Sequence, residues 1–523
     1  MNVISEHDLV IIGAGAAGLR AAISAAETDP NLNIAIISKV FPVRSHTVAA
    51  EGGIAASIKQ GDSYQDHSLD TINASHFLAD QDAVELFTKK CADEIKTLDQ
   101  WGCPWSRDED GSISIRKFGG MNKRRTVYAS DKTGFYMLHN MFERTFLHTG
   151  IYRYDEWFVT KIFADKKNVK GVYVINLKEG TQHIILAKAI IICTGGAGQL
   201  YKNTTNSEQC TGDGMALALQ AGLHLKDMEF MQFHPTAMPE TGILISEAAR
   251  AEGGYLLNRK NERFLKDYVP RQMELGPRDT LVKAILEEYQ KGNGLQKNGH
   301  QFMLLDLRHL GTEKINEKLA HIKELVIDYM GIDPTKEPIP VTPAQHYTMG
   351  GIHTNIDCET TIPGLYAAGE SACISIHGSN RLGSNSLAEC LVFGKIAGQN
   401  AANFCQNKDF ADIKVDEVED ENNAIHKKLN QRGTKNIFEI KAELKDFMET
   451  HAGIIRDHKS LLKALEKIQT IKEHNKEIEI KQKNLVFNYE FTSLIELEGM
   501  LDLAEAIILS AEARRESRGS HLR

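Results

Sequence analysis

The chain opens on a short apolar run, Leu9-Val10-Ile11-Ile12, that leads directly into Gly13-Ala14-Gly15-Ala16-Ala17-Gly18. Helix formers occupy Leu19 to Ala26, and Ile34-Ala35-Ile36-Ile37 makes a second apolar strand. Strand, glycines, helix and strand at this spacing are the dinucleotide-binding fingerprint. Its glycines allow a tight turn and let a pyrophosphate approach a helix N-terminus. A glycine-rich turn in some other α/β fold is the plainer alternative. One detail departs from the fingerprint: Ser38-Lys39 closes the second strand where an acidic ribose ligand is usual, which disfavours NAD and leaves the adenosine contacts to other groups.

Two later runs repeat the pattern. Ala189 to Cys193 is apolar and ends in Thr194-Gly195-Gly196-Ala197-Gly198, and Leu365-Tyr366-Ala367-Ala368 ends in Gly369-Glu370. Strand ends carrying glycine, separated by long insertions, predict one sheet assembled from distant segments around a large cofactor. The expected fold is α/β. A Rossmann-like cofactor-binding domain is formed by residues 1–240 and 346–410, with an α+β capping domain inserted at 241–345. Proline is absent after Pro363, and Leu461 to Asn484 and Leu494 to Arg518 are helix-periodic, so residues 411–523 read as a separate C-terminal helical bundle with solvated charged faces.

Composition narrows the function. The 523 residues are 42% hydrophobic and 25% charged, which is globular rather than disordered. Lys plus Arg number 61 against 70 Asp plus Glu, a net charge of −9 that argues against nucleic acid as a partner. An anionic substrate would therefore need a local cationic pocket. No apolar run approaches a membrane span. The eight cysteines form no CxxC pair, so no metal site is expected and the thiols read as reduced and mostly buried. The first strand begins too early for a leader peptide, so the expected location is cytoplasmic.

The segment Arg44-Ser45-His46-Thr47-Val48-Ala49-Ala50-Glu51-Gly52-Gly53 follows the second strand. Alone, its histidine would read as a hydrogen-bonded loop residue. Taken with Trp101-Gly102-Cys103-Pro104-Trp105, Asp131-Lys132-Thr133-Gly134-Phe135, Gln232-Phe233-His234-Pro235-Thr236, Leu275-Gly276-Pro277-Arg278-Asp279, His346-Tyr347-Thr348-Met349-Gly350-Gly351 and Asn380-Arg381-Leu382-Gly383-Ser384-Asn385-Ser386-Leu387, it closely resembles the flavoprotein subunit of succinate dehydrogenase and fumarate reductase. The resemblance covers essentially the whole chain.

That resemblance implies FAD, carried covalently through a ring nitrogen of His46. Gly13, Ala14, Gly15, Ala16, Ala17 and Gly18 match its dinucleotide turn. Ser38, Lys39, Ser45, Thr47, Gly52 and Gly53 match flavin-contacting positions, as do Asp213, Glu370, Ser386 and Leu387. His234, Ser246, His346 and Arg381 match substrate-binding positions, joined by Ser384 and by Phe118, which would pack over the substrate or serve as a core aromatic. Succinate and fumarate carry two carboxylates, and the planar fork of an arginine suits such a group. Arg278 takes the role of proton donor and acceptor, with Glu247 and Arg250 as its relay to solvent. Spacing alone would make Arg278 a structural ion-pair partner, since a free guanidinium titrates above about 12. Only a crowded cationic site with a coupled carboxylate makes the role plausible.

The chain contains no iron–sulfur or haem ligand set, and the resemblance implies an iron–sulfur subunit as electron partner, with membrane anchor subunits handling quinone. The expected location is then peripheral, on the inner face of the bacterial cytoplasmic membrane. After Arg514-Arg515-Glu516-Ser517-Arg518 the chain stops at Arg523 without the family's further tail, so weaker docking to the partner is expected. L-aspartate oxidase and a soluble fumarate reductase are alternatives that His46 disfavours. A shortened, non-catalytic assembly subunit is a third, against which the intact His234, Arg278, His346 and Arg381 set argues.

Overall fold

A computed structural model describes residues 4–523. Strand β1 (Ile4–Ile12) runs into helix α1 (Ala16–Thr28), which returns to strand β2 (Ile34–Ser38). Strands β3 (Ile151–Asp155), β4 (Trp157–Ala164), β5 (Val169–Asn176) and β6 (Thr181–Ile192) complete a sheet in the order β3-β2-β1-β6-β5-β4. The β3, β2, β1 and β6 neighbours are parallel, and Leu365–Ala367 adds a parallel strand on β6. The three glycine-ended apolar runs therefore lie side by side, although they are far apart in sequence. Along β1 the two-residue period separates two cores. Leu9 and Ile11 face the layer of α1, whereas Val10 and Ile12 face the opposite one. Burial on both faces explains why the strand is a continuous apolar run.

The first turn depends on two glycines. Gly13 adopts φ +108°, and a Cβ on Gly18 would be driven into the carbonyl oxygen of Gly13. Only glycine lets α1 start this close to its strand.

A second sheet comprises strand β7 (Met231–Ala237), a short strand at Tyr255–Leu257, and strands β8 (His300–Asp306) and β9 (Ile339–Thr348), all antiparallel. Its core, which includes Leu256, Leu281, Met303 and Val341, is distinct from those of the first sheet. The short helix α2 (Glu247–Ala251) and helix α3 (Arg278–Gln290) lie within this segment. Helix α4 (Asn385–Cys405) then returns to the first sheet and packs on α1, where Gly394 and Gly398 admit the backbone of Ala17 and Ala21.

Four more helices follow: α5 (Val415–Leu429), α6 (Ile437–His451), α7 (His458–Asn475) and α8 (Tyr489–Ala513). Their apolar faces join the sheet's own core, with Ile440, Leu494 and Leu497 in one cluster with Val10 and Ile12. Two boundaries differ from the periodicity. The helix expected to reach Asn484 stops at Asn475, where the Gln431 side-chain amide donates to the Asn475 and Ile478 carbonyls and caps the end. The helix expected to reach Arg518 stops at Ala513. Extended backbone at Arg514 sends its guanidinium to Glu229 at 2.6 Å, and Arg456 donates its backbone N–H to the Leu522 carbonyl. Tertiary partners override helix periodicity at both ends.

Gly18→Ala should destabilise the fold by about 2–3 kcal/mol, the usual scale of overpacking, and lower the flavin bound per chain. Thermal unfolding and the flavin absorbance of the purified variant measure both, and wild-type values would show that the turn can relax.

Candidate active site

A cavity of about 460 Å³ opens at the C-terminal ends of the parallel strands and extends beneath the second sheet. Gly13 to Ala17, Ser38, Lys39, Ser45, His46 and Thr47 line one end. Phe118, His234, Ser246, Glu247, Arg278, His346, Arg381 and Ser384 line the other. Gly52, Gly53, Asp213, Glu370, Ser386 and Leu387 also line it. Two residues from the sequence analysis do not: Gly18 packs behind the turn, and Arg250 lies behind Glu247.

The first end is built for a dinucleotide. Helix α1 starts from Gly15 with no side-chain cap, so its first N–H groups are left for a ligand, apart from that of Ala16, which donates to Thr47 Oγ1 at 3.2 Å. Ser45 Oγ is buried with no hydrogen-bond partner. Lys39 reaches Asp213 at 2.6 Å and Glu496 at 2.9 Å. Burial opposes its charge, but the two carboxylates win and raise its pKa. Glu370 accepts the Thr348 N–H at 2.9 Å, and burial pushes its carboxyl up to about 7.

His46 heads a 3₁₀ turn, with the Ser207 N–H and the Asn206 side-chain amide each 3.4 Å from a ring nitrogen. Burial pulls its pKa down to about 4, so the imidazole is neutral at pH 7.

The second end is cationic. Arg278, at the start of α3, donates from Nε and Nη2 to Glu247 Oε2 at 3.2 and 3.1 Å, and from Nη1 to Gln232 Oε1 at 2.9 Å. Glu247 Oε1 accepts the Gly119 N–H at 2.5 Å, and Arg250 stands 3.6 Å from Oε2. Burial would raise the Glu247 pKa, but the charges of Arg250 and Arg278 outweigh it and hold the carboxylate below its ordinary range. Arg381 is pushed down to about 10 by burial and by Arg278, and its Nε has no partner.

The His234 and His346 rings sit 5.0 Å apart. Thr236 holds His234 at Nδ1 and Thr205 holds His346 at Nδ1, which leaves each Nε2 for a ligand. Burial, then the nearby Arg278, lowers both imidazoles far below their usual pKa, so they are neutral. Ser246 caps α2 through the Ala248 N–H, and Ser384 holds a left-handed φ of +64° while accepting from Thr126 Oγ1 at 3.3 Å. Phe118 is buried against Leu382.

Known proteins resemble this chain in sequence and fold. Residues 8–387 match the FAD binding domain family, and residues 441–523 match the fumarate reductase flavoprotein C-terminal family. The chain is 49% identical to a fumarate reductase flavoprotein subunit of Mycobacterium tuberculosis, over 99% of this chain and 92% of that one. It is 38% identical to a succinate dehydrogenase flavoprotein subunit of Rickettsia bellii, over 100% and 91%. A solved quinol fumarate reductase flavoprotein from E. coli superposes with a TM-score of 0.97 at 44% identity, covering 100% of this chain and 91% of that one. The chain belongs to the fumarate reductase and succinate dehydrogenase flavoprotein family. It is an FAD-dependent oxidoreductase, with the α/β fold and C-terminal helical segment of that family.

Further residues that sequence alone does not single out also shape the site of this flavoprotein. Gln232 Nε2 donates to Asn380 Oδ1 and to the Arg381 carbonyl, both at 2.8 Å, while its Oε1 receives Arg278. One amide thus ties two arginines together. Asn206 links the His46 ring to the His346 carbonyl, at 2.9 Å from the latter. Neither amide carries a local sequence signal, because each acts on partners far away in the chain.

Gln232→Leu leaves the Arg278 Nη1 donor unpaired in a buried site. Fumarate reduction by a reduced viologen should fall about 10–100-fold while the flavin content of the purified protein stays unchanged. Activity within about twofold of the parent would show that the amide is not needed to place the arginines.

Proposed function

We propose that this flavoprotein carries FAD covalently on His46 and interconverts succinate and fumarate with Arg278 as the proton donor and acceptor. The observation that carries the reading is the Arg278–Glu247 pair, buried against a second arginine and two neutral histidines at one end of the cofactor cavity.

FAD fits the other end by the chemistry present there. The uncapped N–H groups of α1 and the glycine turn suit its pyrophosphate, and the unpaired Ser45 hydroxyl and the Lys39–Asp213 pair supply further polar groups. A neutral imidazole is nucleophilic at a ring nitrogen, which suits His46 to a covalent bond with the cofactor. When bound, FAD supplies the site that exchanges a hydride with one substrate carbon.

The chain's own groups do the rest. Arg381 clamps one substrate carboxylate, and His234 and His346 donate Nε2–H bonds, with Ser246 adding a hydroxyl. Phe118 covers the substrate and excludes water. In the direction of fumarate reduction, Arg278 gives a proton to the carbon next to the one that receives hydride. Glu247 Oε2, within hydrogen-bond reach of Arg278 Nε and Nη2, takes up a proton arriving from solvent by way of Arg250, passes it to the neutral guanidine and so returns to its ionised form. Succinate oxidation runs the same steps in reverse.

Electrons would pass to or from an iron–sulfur subunit and, through membrane anchor subunits, quinone. Relatives solved as quinol-fumarate reductase and as an Mycobacterium smegmatis Sdh1 complex support this partnership. Among the described residues no helix is long and apolar enough to cross a membrane, so attachment to the inner face of the cytoplasmic membrane would run through those partners.

His46→Ser should keep FAD bound but no longer covalent, and should impair succinate oxidation more than fumarate reduction. In-gel flavin fluorescence after denaturation and assays in both directions decide this: covalent flavin surviving in the variant, or equal loss in both directions, would sink the assignment.

Arg278→Lys should reduce turnover at least about 10³-fold while malonate still binds, because binding rests on Arg381 and the histidines. A malonate affinity that falls as steeply as turnover would make Arg278 a binding residue instead.

A further inference from the structure

Arg381 is 2% exposed, yet among the described residues no carboxylate lies within 4 Å of its guanidinium. Its protein contacts are the Leu382 carbonyl, at 3.3 Å from Nη1, and the face of Tyr347, whose ring centroid is 4.4 Å from the guanidinium carbon. A buried cation supported this thinly is costly unless negative charge reaches it by another route.

Beside the longer-range charge of Glu370, one such route runs through the Tyr347 ring. The Tyr347 hydroxyl donates to Glu389 Oε2, and His377 Nε2 meets the same oxygen at 2.9 Å. The His377 ring also packs edge-on to Tyr347, with centroids 5.3 Å apart. The three groups come from three places: Tyr347 from β9, His377 from the loop after residue 373, and Glu389 from the first turns of α4. All are buried, and neither Glu389 nor His377 has a part in the steps above. A buried ion or hydrogen-bonded triad used only for packing would be served as well by apolar side chains. Hydrogen bonding of a phenol to a carboxylate enriches its ring in electrons, and a richer ring face attracts a guanidinium more strongly.

We propose that Glu389, held in place by His377, is a positioning residue that acts through the Tyr347 hydroxyl to keep Arg381 charged and aimed at a substrate carboxylate. The proposal rests on the reading of Arg381 as the carboxylate clamp.

The test uses the full, FAD-loaded chain, titrated with malonate while flavin absorbance is followed. Glu389→Gln keeps the shape and removes the charge, and should weaken malonate about tenfold. Tyr347→Phe keeps the ring but severs the link, and should weaken it by a similar factor. The double variant should be no weaker than Tyr347→Phe alone, because both changes cut one path. With fumarate, KM should rise while kcat stays within about threefold of the parent, and FAD content should not change. Malonate affinity within about twofold of the parent in Glu389→Gln, or single effects that multiply in the double variant, would overturn the proposal. If Arg381→Lys also binds malonate like the parent, the clamp reading itself fails. If Arg381→Lys loses malonate while Glu389→Gln does not, only the role of Glu389 fails.

Discussion

One carboxylate, Glu247, is shared by two buried guanidiniums, and much of the molecule converges on it. Taking such ions out of water costs several kcal/mol each unless geometry and hydrogen bonding are nearly complete. Here Arg278 approaches Glu247 Oε2 with two N–H groups, the Gly119 N–H closes on Oε1, and Arg250 stands behind. Gly119 belongs to the first part of the chain, Glu247 and Arg278 to the segment of the second sheet, and Asn380 and Arg381 to the return toward the first sheet. Gln232 joins Arg278 to Asn380 and Arg381. The charge cluster therefore registers three distant segments against one another, and it can exist only when all three are in place.

The cofactor end is coupled to the C-terminal helices in the same way. Lys39, at the end of β2, bonds both to Asp213 and to Glu496 of α8, and Glu496 also pairs with Lys441 of α6 at 2.7 Å. The apolar faces of α6 and α8 share a core with β1. An ionic strap to Lys39 and a common apolar core set these helices behind the wall of the cofactor cavity, which Lys39 and Asp213 line. Loss of their packing would therefore be felt at the nucleotide turn.

Much of this was legible in the residues. The β1–α1–β2 unit was readable because its signals are local: an apolar run, three glycines and an Ala-rich helix. Almost every residue carried over by family resemblance lines a single cavity, from Gly13 to Leu387, although only the resemblance, and not spacing, could select them. What stayed hidden depends on contacts across the chain. Helix α8 ends at Ala513 because Glu229 captures Arg514, and no pattern within the helix announces that. In the sequence Lys39 reads as a missing acid and, by resemblance, as a flavin-contacting position, whereas its ionic partners Asp213 and Glu496 lie more than a hundred residues away. Gln232 and Asn206 are ordinary amides in the sequence and become structural only when their partners arrive.

The charge at the substrate end also bears on how catalysis is organised. Arg278, Arg250 and Arg381 face a single close carboxylate there, and the two histidines are neutral. Glu370 and Glu389 act on Arg381, and Glu274 on Arg250, only at longer range, so the close charge at this end is net positive and suits a dianion. Burial and mutual repulsion already depress Arg250 and Arg381 below the ordinary guanidinium range. A dianion entering the cavity would offset that repulsion. In the proposed reading, relief is greatest where the substrate carboxylate meets Arg381, while Arg278 stays paired with Glu247 and acts on carbon. In that reading, the division between a clamp with no carboxylate in contact and a proton donor paired to one follows from where Glu247 is placed.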